Sequence, residues 1–352
     1  MKQLLLCLLL VVASPVAAKD FMFEATFAGN VIEGSPLFWN ESQMLLLARD
    51  GVLHTVDPRK ATDAHRSEVP FTSLGTSEMR AALQREFGPS MTVTSTGHYL
   101  VVHYPGESDA WGQRFEELYR SFQNYFRVRG FQLNRPKFPL VAVIYASQQD
   151  YYEASRVAGQ DLGPGALGHY DPRTNRVLMF DRVAQSDNDW AITANTIVHE
   201  ATHQTAFNVG LHSRTSVTPK WVIEGLATMF EARGVHHSRA ADTRMDRVNY
   251  SRLGDYRSYV RPVQKRDIAQ LVASDTPFQA NTLKAYADAW ALTFYLSETR
   301  PREYERYLQM LADRPALTLY PAAERVRDFR EAFGDDLSIF ESNLASWMDE
   351  LR

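Results

Sequence analysis

His199 and His203 stand four residues apart in His199-Glu200-Ala201-Thr202-His203, and this spacing constrains the chain more than any other feature. Residues four apart on a helix lie one turn apart on the same face, so both imidazoles reach one point only if the segment is helical. The surroundings agree. Asp187, Asn188 and Asp189 are suitable N-terminal caps, no proline or glycine interrupts Trp190 to Phe207, and Gly210 falls where a C-terminal cap belongs. Two ring nitrogens on one face, with the Glu200 carboxylate beside them, suit a metal ion and a base acting next to it. A catalytic zinc needs a third protein ligand and an open position. Glu224, in Trp221-Val222-Ile223-Glu224-Gly225-Leu226-Ala227, is the candidate.

Cysteine usage narrows the ligand chemistry. Cys7 is the only cysteine, and it lies in a segment with the pattern of a secretory signal peptide. Lys2 precedes an apolar run from Leu4 to Val12, and Val16 and Ala18 are small residues placed for cleavage between Ala18 and Lys19. The expectation is therefore an exported chain, periplasmic or secreted. Without thiols after cleavage, disulfides and thiolate ligands drop out, leaving nitrogen and oxygen to hold a metal. The apolar run is too short to span a bilayer, and no later stretch approaches the length of a membrane helix.

A hydrophobic fraction of 45% with 12% aromatic residues is ample for a packed core. The formal charge of −4 is spread over interspersed signs, with no lysine and arginine stripe to neutralise phosphates. That argues against a nucleic-acid partner.

The chain reads as α+β in three parts. After the signal segment, residues 19–75 form a small β region in which Met44 to Ala48 and Val52 to Val56 flank Asp50-Gly51 as a hairpin. Residues 76–352 form a second domain, α/β to about residue 234 and helical after it. In its first half, Ser77 to Phe87 and Ala110 to Arg127 have helical spacing, and the latter carries an aromatic stripe (Trp111, Phe115, Tyr119, Phe122) that belongs in a core. Met91 to Tyr104 alternates as one strand, and Phe138 to Tyr145 is a buried strand followed by a helix from about Gln148. A hairpin follows, with arms at Ala166 to Tyr170 and Arg176 to Phe180.

His-Glu-Ala-Thr-His-Gln at 199 to 204, Gly210-Leu211-His212, and Pro219-Lys220-Trp221 running into Glu224-Gly225-Leu226-Ala227 resemble the gluzincin branch of the zincin metallopeptidases. More narrowly, they resemble a largely uncharacterised family of exported bacterial peptidase-MA-like proteins, over a stretch from about residue 76 to the C-terminus. The resemblance implies a zincin-like fold with a small mixed sheet, an active-site helix and a helical C-terminal subdomain. It implies one zinc ion per chain on His199, His203 and Glu224, with Glu200 as general base. It also places Tyr286, at the start of a helical segment, where several gluzincins carry a catalytic tyrosine, and it makes the first arm of the hairpin before the His199 helix a sheet edge over the zinc, where an extended peptide could pair along Gly168 to Tyr170. One position departs from the pattern. Where those enzymes often have an aspartate four residues after the glutamate ligand, this chain has Thr228; Glu231, on nearly the same helical face as Glu224, could instead accept the distal N–H of His199 or His203.

The expected activity is hydrolysis of a peptide bond in a peptide or protein substrate, with Glu200 taking the proton of the attacking water. Hydrolysis of a cell-wall peptide or other amide, and a catalytically silent binding module on the same fold, stay open. His212, His236 and His237 read as solvated loop histidines and stand outside the ligand set.

Overall fold

The computed structural model describes residues 21–105, 108–181, 190–237, 243–262 and 268–351. The signal segment and the Asp187 to Asp189 caps lie outside these. The chain divides after Ser73 into two compact units.

The first unit is a five-stranded antiparallel sheet of β1 (Phe21–Phe27), β2 (Asn30–Trp39), β3 (Met44–Ala48), β4 (Leu53–Val56) and β5 (Thr62–Pro70), in the order β4-β3-β2-β1-β5. The β3–β4 hairpin turns at Asp50-Gly51, where Gly51 N–H donates to Ala48 O at 2.9 Å and the Asp50 carboxylate accepts from Val52 N–H at 3.0 Å. Alternate residues Phe23, Ala25 and Phe27 of β1 meet Met44 and Leu46 of β3 in a small core, as the two-residue period of a strand requires.

The second unit opens with α1 (Thr76–Phe87) and continues with β6 (Thr92–Ser95), β7 (Tyr99–His103), α2 (Ser108–Arg127), β8 (Leu140–Tyr145), α3 (Gln148–Val157), β9 (Gly168–Asp171) and β10 (Arg176–Phe180). Its sheet has the order β6-β7-β8-β10-β9, parallel at β7/β8 and β8/β10 and antiparallel at both ends. The near-continuous apolar runs of β7 and β8 reflect burial on both faces. Leu100, Val102, Val141 and Val143 pack with Met79 and Leu83 of α1, while Tyr99, Val101, Leu140, Ala142 and Ile144 join the aromatic stripe of α2 in the main core. The stretch expected as one strand from Met91 to Tyr104 is a hairpin. Its turn at Thr96 to His98 is pinned by the buried carboxylate of Glu116 on α2, which accepts from Thr96 Oγ1, His98 N–H and His98 Nδ1, each at 2.9 Å.

The remainder is helical: α4 (Trp190–Asn208), α5 (Lys220–Phe230), α6 (Arg233–His236), α7 (Tyr250–Asp255) with a π-turn over Tyr256–Val260, α8 (Ile268–Ala273), α9 (Pro277–Ala280), α10 (Thr282–Thr299), α11 (Pro301–Ala312), α12 (Ala322–Phe333) and α13 (Leu337–Asp349). The fold is thus α+β, with an N-terminal β region, small sheets and a helical C-terminal part. No described helix is long and apolar enough to cross a membrane.

Helix α4 lies against the sheet, and Gln204 fixes it there by donating through Nε2 to Val141 O at 2.9 Å and Asn175 O at 2.8 Å. The helix ends at Gly210, whose φ of +87° only glycine adopts without strain. Leu211 N–H then reaches back to Ala206 O at 3.1 Å, closing a Schellman-type cap.

Candidate metal centre

Helix α4 turns His199 and His203 toward α5, and the burial of α5 brings Glu224 to meet them. Trp221 stacks on Tyr307 of α11 with ring centroids 5.9 Å apart, and Phe230 stacks on Phe122 of α2 at 4.8 Å. Buried at both anchors, the helix presents Glu224 toward α4. Among the described residues, His199, His203 and Glu224 form a group whose ligand-capable atoms all lie within 4.8 Å of one another.

The distances suit a metal site. Glu224 Oε2 is 3.4 Å from His199 Nε2 and 3.8 Å from His203 Nε2, and this buried oxygen has no hydrogen-bond partner. Leaving a buried carboxylate oxygen unmatched is costly unless something else satisfies it. Ligand atoms around a tetrahedral zinc, each about 2.0–2.1 Å from the ion, stand about 3.3–3.4 Å apart. The orphaned oxygen stands near that separation from each Nε2 atom, and the three residues together can hold a cation of that size.

Behind His199 runs a chain of hydrogen bonds. Its Nδ1 meets Glu231 Oε1 at 2.9 Å. The other Glu231 oxygen accepts from Asn249 Nδ2 at 3.0 Å and lies 3.8 Å from Arg252 Nε. Thr228, four residues after Glu224, turns away and bonds the carbonyl of Glu224 at 2.7 Å. The carboxylate that orients a histidine thus comes from Glu231, which leaves the distal N–H of His203 to another group. Asn249 and Arg252 were not singled out from the sequence. Asn249 caps α7 through its Oδ1, accepting from Arg252 N–H at 3.2 Å, and that cap alone was legible in the residue types.

Glu200 sits beside the triad with Oε2 accepting the backbone N–H of Tyr170 at 2.9 Å. Tyr170 belongs to β9, the outer strand of the second sheet, so the carboxylate touches the strand edge where a peptide was expected to pair. In the metal-free protein, burial and then the charge of Glu224 push the Glu200 carboxyl up to about 7, against the pull of His199 and the Tyr170 N–H. Burial lowers His199, yet Glu224 and Glu231 outweigh it and raise that ring well above its ordinary value. For His203, burial and the neighbouring His199 lower the value to about 3, while Glu224 itself is held at about 2 by His199 and His203 despite its burial.

Tyr286, near the start of α10, lies close enough to Glu224 for that carboxylate to act on its phenol. Burial first, and then that carboxylate, raise the phenol far above its ordinary value, so it stays protonated. The Arg252 guanidinium lies 5.4 Å from the Tyr286 ring centre. A cavity of about 750 Å³ opens behind His199, lined in part by Val198, Glu231, Arg114 and Arg233.

Two of the three histidines expected to be solvated are not. His212 is 2% exposed, because the chain reversal at Gly210 folds its ring back onto Phe207, with centroids 5.1 Å apart. His236 is half-buried with Nδ1 bonded to Phe230 O at 2.9 Å, and only His237 is exposed.

Residues 193–318 match the model of a family described as proteins of unknown function, DUF1570. The matched stretch contains His199, Glu200, His203, Glu224, Glu231 and Tyr286. No curated protein matches the chain.

Proposed function

We propose that the protein is an exported zinc-dependent peptidase. The observation that carries this reading is the buried, unpartnered Oε2 of Glu224 facing two Nε2 atoms, with the Glu200 carboxylate alongside. His199, His203 and Glu224 would hold the ion, and a three-residue ligand set of nitrogen and oxygen leaves a coordination position for catalysis. A zinc ion held there supplies Lewis acidity to an amide carbonyl and to the water that attacks it. Glu200 takes the proton of that water and delivers it to the leaving amine. The Tyr286 hydroxyl, neutral and aimed into the site, donates a hydrogen bond to the oxygen on which charge develops.

A peptide substrate fits the setting better than a small amide. The edge of β9 offers main-chain hydrogen bonds for an extended strand, and the Tyr170 N–H to Glu200 bond puts the base at that edge. The apolar, small-residue pattern of residues 1 to 18 supports export. The deciding experiment measures metal content and cleavage of an unbiased peptide library by the purified mature chain. One equivalent of zinc with cleavage supports the reading. A zinc-loaded protein that cleaves no peptide moves the assignment to a binding module, and cleavage of only non-peptide amides moves it to an amide hydrolase.

A further inference from the structure

His203 Nδ1 is buried and has no hydrogen-bond partner, and the same is true of His212 Nε2. The two orphans are complementary. When a neutral imidazole ligates a metal through Nε2, its proton sits on Nδ1, and that N–H requires an acceptor. The His212 ring contacts Leu211 O through Nδ1 at 2.9 Å, and a carbonyl can only accept, so the Nδ1 carries the His212 proton. Nε2 is left as a bare lone pair, buried, in need of a donor. The backbone brings the two rings into one neighbourhood. His212 N–H bonds to Ala206 O at 3.1 Å, and the His212 ring meets Phe207, one helical turn beyond His203 on the same face of α4.

We propose that His212 is the positioning residue for the metal ligand His203, accepting its Nδ1–H at Nε2 through a single buried water. A water bridging the two satisfies both atoms, and a buried water is stable where polar groups would otherwise be unmatched. The metal centre then has two supports of different character: an anionic carboxylate, Glu231, behind His199, and a neutral imidazole behind His203. Each ring is held at both nitrogens, and the net charge of the site stays lower than a second carboxylate would make it.

This inference rests on the metal-site reading, and the test separates the two. Zinc affinity is measured by competition with a chelator for the full mature chain, for His212→Phe and for His212→Gln, alongside thermal unfolding of each without metal. Expected is a dissociation constant raised about 10- to 100-fold in His212→Phe, recovering to within a few-fold in His212→Gln, whose amide restores an acceptor. Equal affinity in wild type and His212→Phe overturns the proposal, as does equal weakening in both variants. Nitrogen-15 NMR of the zinc-loaded wild type needs no variant: a His212 with Nδ1 protonated and Nε2 bare is expected, and a proton on Nε2 overturns the proposal. A wild type that takes up no zinc refutes the metal reading itself, whereas zinc uptake indifferent to His212 refutes only this one.

Discussion

Nδ1 of His199 and Oε1 of Glu231 stand 2.9 Å apart, across 32 residues of sequence and between two helices. The bond fixes the ring plane of His199 and commits its Nε2 to the side where Glu224 lies. With the proton fixed on Nδ1, the lone pair at Nε2 is free for a cation, which is the usual purpose of a carboxylate behind a ligating histidine.

Glu231→Gln therefore weakens zinc binding without abolishing it, by about 10- to 100-fold. Glu224→Gln removes a ligand and costs more, and His199→Ala or His203→Ala leaves two ligands and an empty site. Metal analysis and chelator competition rank the four variants. Full occupancy in Glu224→Gln with loss in Glu231→Gln would move the third ligand to position 231.

Replacing Glu200 by Gln keeps shape and hydrogen-bonding capacity while removing basicity. Zinc stays bound and turnover of a library-derived peptide falls about 100- to 10,000-fold. Tyr286→Phe lowers turnover at an unchanged Michaelis constant, since its hydrogen bond is made to the developing charge. Unchanged turnover in Glu200→Gln at matched zinc content would assign the activity to another base or to a contaminant.

Gly225→Ala destabilises the fold by about 1–3 kcal/mol, read as a shift in the denaturation midpoint. A Cβ at this position would meet the backbone oxygen of Ala289 on α10 at 2.5 Å and also crowd Thr293 Oγ1. Alanine's better helix propensity offsets about 1 kcal/mol at most. Backbone cannot yield as a side chain can, so overpacking wins. A variant as stable as wild type would show that α5 and α10 are free to part.

Glu298, buried on α10, accepts from Arg129 Nη2 at 2.6 Å, from Arg247 Nη2 at 2.7 Å and from Tyr125 OH at 3.1 Å. Burial raises its carboxyl, but the two guanidinium groups outweigh this and hold it below its ordinary 4.5. A carboxyl lowered in the folded state adds stability in full above its unfolded value, and that stability drains away as pH falls through the folded value. Glu298→Gln thus costs about 1–3 kcal/mol at neutral pH, by leaving two half-buried guanidinium groups without their counter-charge. The difference from wild type shrinks below pH 4.5. A gap that persists unchanged into strong acid would place the effect in packing and not in charge.

The parts of this fold that depend on local order were legible in the sequence. Histidine spacing implied α4, the Asp50-Gly51 pair implied the β3–β4 hairpin, and the aromatic stripe of α2 turned inward as its period required. What escaped depends on contacts between distant residues. The hairpin at Thr96 to His98 hides in an alternating run because the group that pins it, Glu116, lies on another helix. His212 follows a glycine in a polar stretch and reads as solvated, yet the reversal at Gly210 buries it. Glu231 could have served either histidine on spacing alone, and the packing of α5 against α4 decided for His199. Asn249 and Arg252 carry no local sign of their place behind Glu231, since α7 reaches that carboxylate only through tertiary packing.

The absent side chain at Gly225 sets the mechanical tolerance of the centre. Helices α5 and α10 touch there main chain to main chain, with no flexible spacer between, so the spacing of the helices that carry Glu224 and Tyr286 is set by backbone contact. Substitutions on the outer faces of either helix leave that spacing alone, whereas one added methyl at the contact resets it. Enlarging the site for a bulkier substrate would therefore mean re-spacing two helices, with α6 to α9, which lie between them in the chain, following the change.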